Sequence, residues 1–246
     1  MQTDEIVTSG PVLVTGAGKG LGAATARALA KGGVEPLLLG RSCANLASTR
    51  ADIEPIWGRQ VRTIVADVAN WDALRVNIVQ ALLPGERLGG VINNAGVIEP
   101  IDKVQDSDPA CWADCIQINL IGAYHVLRVS LPHLSSGGII INVSSGAAVA
   151  ELQGWSAYAA SKAGLERLSM TLASERPDLI VLAVRPGMMD TDMQAIIRNA
   201  RVDNMVRQVP REDMQLVDEP AKAIANFFTH KAVADKMRFE GVIRLH

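Results

Sequence analysis

The sequence predicts an α/β protein of one domain: a doubly wound parallel sheet of about seven strands with helices on both faces. Three observations point there. Short apolar runs alternate with longer stretches of helical character, which signals successive βαβ units. The runs are uniformly apolar and lack polar alternation, so each strand is expected to be covered on both sides. No repeat, low-complexity tract or Pro/Gly-rich linker divides the 246 residues, a length that suits one large α/β domain.

The elements follow in order along the chain. Val12-Leu13-Val14 is the first expected strand, and a helix follows from about Leu21 to Lys31. Leu37-Leu38-Leu39 is the second strand, Val61 to Val65 the third, and Val91-Ile92 closes the fourth. One long helix is expected from about Pro109 to Leu131. Ile139-Ile140-Ile141, set off by Gly137-Gly138, is the fifth strand. A helix then starts near Ser156 and ends before Pro177. Ile180 to Val184 is the sixth strand, and Val242-Ile243 suggests a seventh. Sheets of this kind bind ligands beyond the carboxyl ends of their strands. The motifs described next all fall at those ends.

Bulk composition narrows the function. With 48% hydrophobic and 20% charged residues, the chain can bury a sizeable core. The net charge of −2 argues against a nucleic-acid binder, which would normally carry a basic excess. No apolar run reaches the roughly 18 residues of a membrane span. The stretch MQTDEIVTSG is polar and acidic, unlike a signal peptide. A cytoplasmic protein is expected. Three cysteines, Cys43, Cys111 and Cys115, fit a reducing compartment. Cys111 and Cys115 are four apart, but no further Cys or His stands at metal-binding spacing. Neither they nor the scattered His125, His133, His230 and His246 are assigned a role, and no metal is expected.

The first strand runs into Thr15-Gly16-Ala17-Gly18-Lys19-Gly20-Leu21-Gly22. Glycines there permit a tight turn and close backbone approach to a pyrophosphate. The helix that follows offers free N–H groups and a positive dipole end. The spacing is not that of a P-loop. An NAD site usually ends its second strand on an acidic residue, whereas a nearby Arg accommodates a 2′-phosphate. Here strand two ends Leu39-Gly40-Arg41-Ser42. The acid is missing, Arg41 follows, and Lys19 adds a second cation. The expected cofactor is therefore NADP(H).

The most specific feature is Ser145, then Tyr158 thirteen residues later, then Lys162. Tyr158 and Lys162 fall one turn apart on one helical face. A nearby ammonium is expected to lower the phenol's usual pKa of about 10. The phenol could then pass a proton to or from a substrate oxygen, which Ser145 would also hold.

These pieces together resemble the classical short-chain dehydrogenases/reductases, along essentially the whole chain from Thr15 to about Ile243. The matching residues are TGAGKGLG at 15–22, Asp67, NNAG at 93–96, Asn119, Ser145, YAASK at 158–162, and RPG at 185–187 with Thr191. The resemblance implies a Rossmann-like fold, with the dinucleotide-binding part at about 10–150 of a single domain spanning 1–246. It implies that Gly16, Gly18, Lys19, Gly20, Leu21 and Gly22 hold the cofactor phosphates. Asp67 would hold the adenine amino group, with Val68 beside it. Asn93, Ala95 and Gly96 would let the chain pass close to the cofactor. Asn119 would complete a catalytic set with Ser145, Tyr158 and Lys162 and support a proton-relaying water. Lys162 would also bind the ribose hydroxyls. Pro186, Gly187, Met189 and Thr191 would cradle the carboxamide. Within the family, RPGMMDTDMQ (185–194) and GWSAYAASKAGLERL (154–168) look like the branch of sepiapterin and benzil reductases. The ending FEGVIRLH has no acid after Glu240, which disfavours a pterin substrate.

Residues between Ser145 and Tyr158, and just after Gly187, should line the substrate pocket. Ala147, Glu151, Leu152, Gln153, Trp155, Met188, Met189 and Met193 are the candidates, with Gln153, Trp155 and Met188 foremost. The set is mainly apolar and rich in adaptable methionine, which suits a bulky, weakly polar ketone. Residues of about 188–215 are expected to form a lid that orders on ligand binding. The leading reading is an NADPH-dependent carbonyl reductase of a ketone or dicarbonyl, like the benzil and sepiapterin reductases, with Tyr158 as proton donor. Alternatives are an NADP-dependent alcohol dehydrogenase, a 3-oxoacyl-carrier-protein reductase, or a non-catalytic NADP(H)-sensing regulator. The resemblance also suggests a homodimer or homotetramer, paired through helices at 109–131 and 156–174, with Cys111, Trp112 and Cys115 nearby.

Overall fold

The computed structural model describes residues 8–202, 204–237 and 240–245. Most of the polar amino-terminal stretch, His246 and Phe239 lie outside them. Seven strands form one sheet: β1 (Val12–Thr15), β2 (Pro36–Gly40), β3 (Thr63–Val65), β4 (Leu88–Asn93), β5 (Leu134–Val143), β6 (Ile180–Arg185) and β7 (Val242–Arg244). Their order is β3-β2-β1-β4-β5-β6-β7, and every pairing is parallel. The chain builds outward from β1 to β3, then returns so that β4 lies on the other side of β1. The crevice at that reversal is where such sheets take ligands.

Alternate residues of each strand point to opposite faces, and this splits the core into two layers. Val12, Val14, Leu38, Ile139, Ile141 and Leu182 face one layer. Leu13, Leu37, Leu39, Ile140 and Val181 face the other. Helices α1 (Gly20–Lys31) and α8 (Asp218–Thr229) cover the first face. Their approach is close: a Cβ on Gly32 would meet Thr229 Cγ2 at 2.4 Å, and one on Gly90 would meet Phe228 at 2.5 Å. Helices α3 (Trp71–Ala81), α5 (Gly122–Ser130) and α6 (Ser156–Glu175) cover the second.

The predicted strands all form, with β3 shorter and β5 much longer than their apolar runs. Helices α2 (Cys43–Trp57), α3, α7 (Asp192–Asn199), α8 and α9 (Lys231–Met237) were not legible as separate elements. Local chemistry nonetheless starts two of them. Ser42 Oγ accepts from Asn45 N at 3.2 Å to cap α2, and Asn70 caps α3 through Ala73 N.

The single long helix expected at 109–131 is corrected. Asp108 caps α4 (Pro109–Ile116) by accepting from Ala110 N and Cys111 N. A π-helical turn, Gln117–Ile121, then separates α4 from α5, and Leu131–His133 is a 3-10 turn. The extra residue in a π turn widens the helix and re-aims its side chains. Asn119 sits inside this turn. Among the described residues no helix is long and apolar enough to cross a membrane.

Candidate active site

The glycine turn leaves β1 at Thr15. Gly16 (φ +66°) and Gly20 (φ +55°) take left-handed conformations that a side chain disfavours. A Cβ on Gly22 would lie 2.3 Å from Gly16 O, so only glycine lets α1 close on the turn. Thr15 Oγ1 accepts from the N–H groups of Asn94 and Ala95 at 3.0 Å. Asn94 Nδ2 donates to Thr15 O at 2.9 Å. The ends of β1 and β4 are thereby tied. Lys19 occupies the N-cap of α1, no side chain caps its first turn, and no acidic residue lies there. The free N–H groups and positive dipole end suit a pyrophosphate. Leu21 is buried and anchors the turn.

The cations stand at the edges of this cleft. Arg41 Nη1 lies 3.8 Å from Asp67 Oδ2, both substantially exposed. Asp67 also accepts from Ala69 N at 2.9 Å, and Val68 is buried behind it. Lys19 Nζ pairs with Asp192 of α7 at 3.0 Å. Gly40 leaves no side chain at the end of β2; a Cβ there would meet Leu46 at 3.3 Å. Asn93 turns inward: its amide donates to Asn142 Oδ1 at 2.8 Å, so that position reaches the cleft only through its backbone. A Cβ on Gly96 would approach Asn119 Oδ1 at 3.2 Å and Lys162 Nζ at 3.6 Å, which is why the chain can pass so close there.

Asn119, Ser145, Tyr158 and Lys162 converge. The Asn119 amide accepts from Val97 N and donates to Val97 O, both at 2.8 Å, and donates to Ser161 Oγ at 3.1 Å. Ser161 Oγ donates to Tyr158 O at 2.7 Å. The π turn and α6 are thus locked together. Ser145, just past β5, caps the 3-10 turn Gly146–Ala148 by accepting from Ala147 N. Lys162 Nζ donates to Val143 O at 2.7 Å and lies 5.6 Å from the centre of the Tyr158 ring.

The electrostatics correct one expectation. The Tyr158 phenol is not more acidic than usual: burial pushes it up to about 12, against a lowering by its hydrogen bond to Ser145. Burial also brings Lys162 down to about 8. Both follow from withdrawing the charged form from water.

Sequence reasoning missed three supports. Asn94 ties the turn, and its signal was the second Asn of NNAG. Glu166 accepts two 2.7 Å bonds from Arg185 and one from Ser144 Oγ, also 2.7 Å. That clamp joins α6, the end of β5 and the end of β6. Cys115, fully buried, receives a 3.4 Å contact from Asn119 Nδ2, and burial pushes its thiol up to about 11. Cys111 is exposed, so the two thiols do not share an environment.

Beyond β6, Pro186 is buried and Gly187 (φ +87°) faces Gln215 Nε2, which a Cβ would approach at 2.9 Å. Met189 pairs with Gln215, and Thr191 is the N-cap of α7. Met188 and Gln153 are exposed, as is Glu151. Trp155 is buried edge-on against Tyr158, with ring centres 5.7 Å apart. It packs with Ala147, Ile197 and Val206, with Leu152 and Met193 at the margin. Among the described residues no group of three or more His, Cys, Asp or Glu could hold a metal ion.

A glycine turn, buried Tyr158 and Lys162 with half-buried Ser145, and an asparagine in a π turn make one assembly. The family model for short-chain dehydrogenases matches residues 11–202. The chain belongs to that family. An uncharacterized oxidoreductase of Schizosaccharomyces pombe is 39% identical over 189 residues, covering 76% of this chain and 74% of the relative. A benzil reductase, (S)-benzoin forming, of Saccharomyces cerevisiae is 31% identical over 200 residues, with 76% and 74% covered. A Shigella flexneri short-chain dehydrogenase complexed with NADP superposes with a TM-score of 0.84 at 25% identity, covering 98% of each chain. An NAD+-bound xylitol dehydrogenase does so at 0.85, again with 25% identity and 98% of each chain. This short-chain dehydrogenase is an oxidoreductase acting on CH–OH or C=O groups with a nicotinamide dinucleotide.

Proposed function

We propose that the enzyme is an NADPH-dependent carbonyl reductase that takes a bulky ketone or a vicinal dicarbonyl. The carrying observation is the geometry: a buried Tyr158 with Lys162 Nζ 5.6 Å from its ring centre, its phenol pushed up by burial. At neutral pH it holds its proton, as a donor to a nascent alkoxide must. Bound NADPH would supply the hydride. Ser145 orients the substrate oxygen with its hydroxyl. The Lys162 ammonium stabilises the phenolate left after proton transfer, and Asn119 anchors the turn beside it. The uncapped first turn of α1, with Gly16, Gly18, Gly20 and Gly22, fits the pyrophosphate.

The absent acid at Gly40 and the cations Arg41 and Lys19 support NADPH over NADH. The benzil reductase relative supports a diketone. The pocket candidates Trp155 and Met188 are apolar, which suits aryl groups. We also read the enzyme as cytoplasmic. The exposed apolar side chains Ile121 and Tyr124 of the 109–131 stretch and Met170 of α6 support self-association as a homodimer or homotetramer.

The test is consumption of NADPH, and separately NADH, with benzil, isatin and a simple ketone. NADPH-dependent loss with at least one carbonyl is expected. Tight NADPH binding without consumption of any carbonyl would favour a cofactor-sensing role instead. Tyr158→Phe should bind NADPH normally and lose turnover by about 10²–10⁴-fold; near-normal rates would remove Tyr158 as the donor.

A further inference from the structure

Trp155 stands immediately before α6, 5% exposed, with its ring edge-on to Tyr158 at an interplanar angle of 85°. Ile98, Ile101 and Ala147 of the body and Ile197 and Val206 of the lid surround it. Its Nε1–H is fully buried and has no hydrogen-bond partner. Trp112, at the margin of the same cluster, is satisfied: its Nε1 donates to Ser156 Oγ at 3.1 Å. Buried indole N–H groups normally find a partner, so the orphan on Trp155 calls for one. The orphan lies on the residue whose ring meets the Tyr158 ring, with centres 5.7 Å apart.

We propose that the Trp155 Nε1–H is the donor for the second oxygen of a vicinal dicarbonyl substrate, while Tyr158 and Ser145 hold the first. The inference rests on the reading of the enzyme as a carbonyl reductase, and it deepens that reading. An indole only donates, so it recognises a carbonyl oxygen. The apolar side chains around it accept an aryl or branched substituent. The two donors treat the two carbonyls differently. At the first, the C=O π bond opens: its carbon gains the hydride from the reduced nicotinamide, and its oxygen gains the Tyr158 proton. Solvent then reprotonates the phenolate. The indole N–H is far too weak an acid to release its proton, so the second C=O is held but not reduced. The product is an α-hydroxyketone in which one carbonyl survives.

The experiment compares benzil with deoxybenzoin, which has the same two phenyl groups and one carbonyl fewer, in wild type and Trp155→Phe. The variant keeps an aromatic ring and removes the N–H. Its kcat/KM for benzil should fall about 10- to 100-fold, the loss expected for one buried hydrogen bond. The value for deoxybenzoin should fall by clearly less, so that the benzil-to-deoxybenzoin ratio drops about 10-fold or more. Equal losses with both ketones would make Trp155 a packing residue and overturn the proposal, as would no loss with either. Wild type reducing deoxybenzoin but not benzil would also overturn it, leaving the reductase reading intact. Wild type reducing neither would overturn the proposal, and the reductase reading would fall with it only if isatin and the simple ketone were also left untouched. Should Trp155→Phe fold poorly, 3-benzothienylalanine at position 155 substitutes sulfur for the N–H at nearly constant shape. The same selective loss is expected, and an unchanged benzil-to-deoxybenzoin ratio would overturn the assignment.

Discussion

A buried ammonium is an expensive group, and Lys162 carries that cost at the centre of the site. It is 4% exposed, and its pKa falls to about 8 through desolvation. The unfolded chain keeps a lysine near 10.4. Below pH 8 both states are protonated and the penalty is complete. Between pH 8 and about 10.4 the unfolded state binds more protons, so stability rises with pH there. Lys162→Met should therefore stabilise the cofactor-free protein by about 2 kcal/mol at pH 7, after allowing for the lost bond to Val143 O. The advantage should shrink as pH rises from 8 to 10. Denaturant melts across that range check it; a variant less stable than wild type at pH 7 would refute it. The same variant should lose turnover, since nothing would then support the phenolate. For the wild type, kcat/KM for NADPH should decline above about pH 8 as Lys162 loses its proton. A second residue-scale prediction concerns Arg41. Its guanidinium faces Asp67 at 3.8 Å across an exposed edge, where a bidentate phosphate contact would replace it. Arg41→Ala should weaken NADPH about 10-fold or more while sparing NADH. Titration of both cofactors checks it, and equal losses would overturn the choice of NADPH.

At the scale of elements, the site depends on three chain segments arriving at one place. The π turn brings Asn119 to α6, and the Glu166 clamp brings α6 to the ends of β5 and β6. The Glu166 and Arg185 side chains are only 10% and 14% exposed. Removing one partner would leave a nearly buried charge uncompensated, which typically costs about 3–5 kcal/mol. Glu166→Leu should destabilise by about that amount, and Glu166→Gln by less, since the amide still accepts one Arg185 bond. Thermal or denaturant melts decide it. A loss under about 1 kcal/mol for the leucine variant would show that the clamp is dispensable. Because the clamp holds Ser144, Ser145 should shift with it, and kcat should drop more than cofactor affinity.

For the whole molecule, the question is what moves. The segment expected to act as a lid is closed on itself by the Met189–Gln215 bridge, and it meets the body through the apolar cluster of Ile197 and Val206 and the exposed Lys19–Asp192 pair. That pair is worth little to stability, yet it occupies a cation the cofactor phosphates would also want. We expect amide exchange over 190–215 to slow when NADPH and ketone are both present, while β1, β4 and β5 stay unchanged. Unaltered exchange in that segment would remove the lid. Much of this architecture was legible beforehand. The uniformly apolar strands, the glycines after β1 and the Tyr158–Lys162 spacing are local signals, written in the side chains that perform them. Helices such as α2, with Pro55 inside it and only Leu46, Thr49 and Ile53 buried, carry too weak an apolar stripe to stand out. The inward turn of Asn93 was hidden because it depends on Asn142, a residue of another strand. The direction of the Tyr158 shift was misjudged for a related reason. Spacing reveals that a lysine is near, but how much water surrounds the phenol depends on the packing of Trp155, Ala147 and the lid around it. The sequence alone thus determined the fold class and the family, and it named the groups proposed to react, because periodicity and neighbour spacing act within one element. Only the tertiary structure decided the direction in which burial shifts Tyr158 and Lys162, the interrupted helix at Asn119 and the orphan indole, because desolvation and hydrogen-bond satisfaction are sums over residues far apart in the chain.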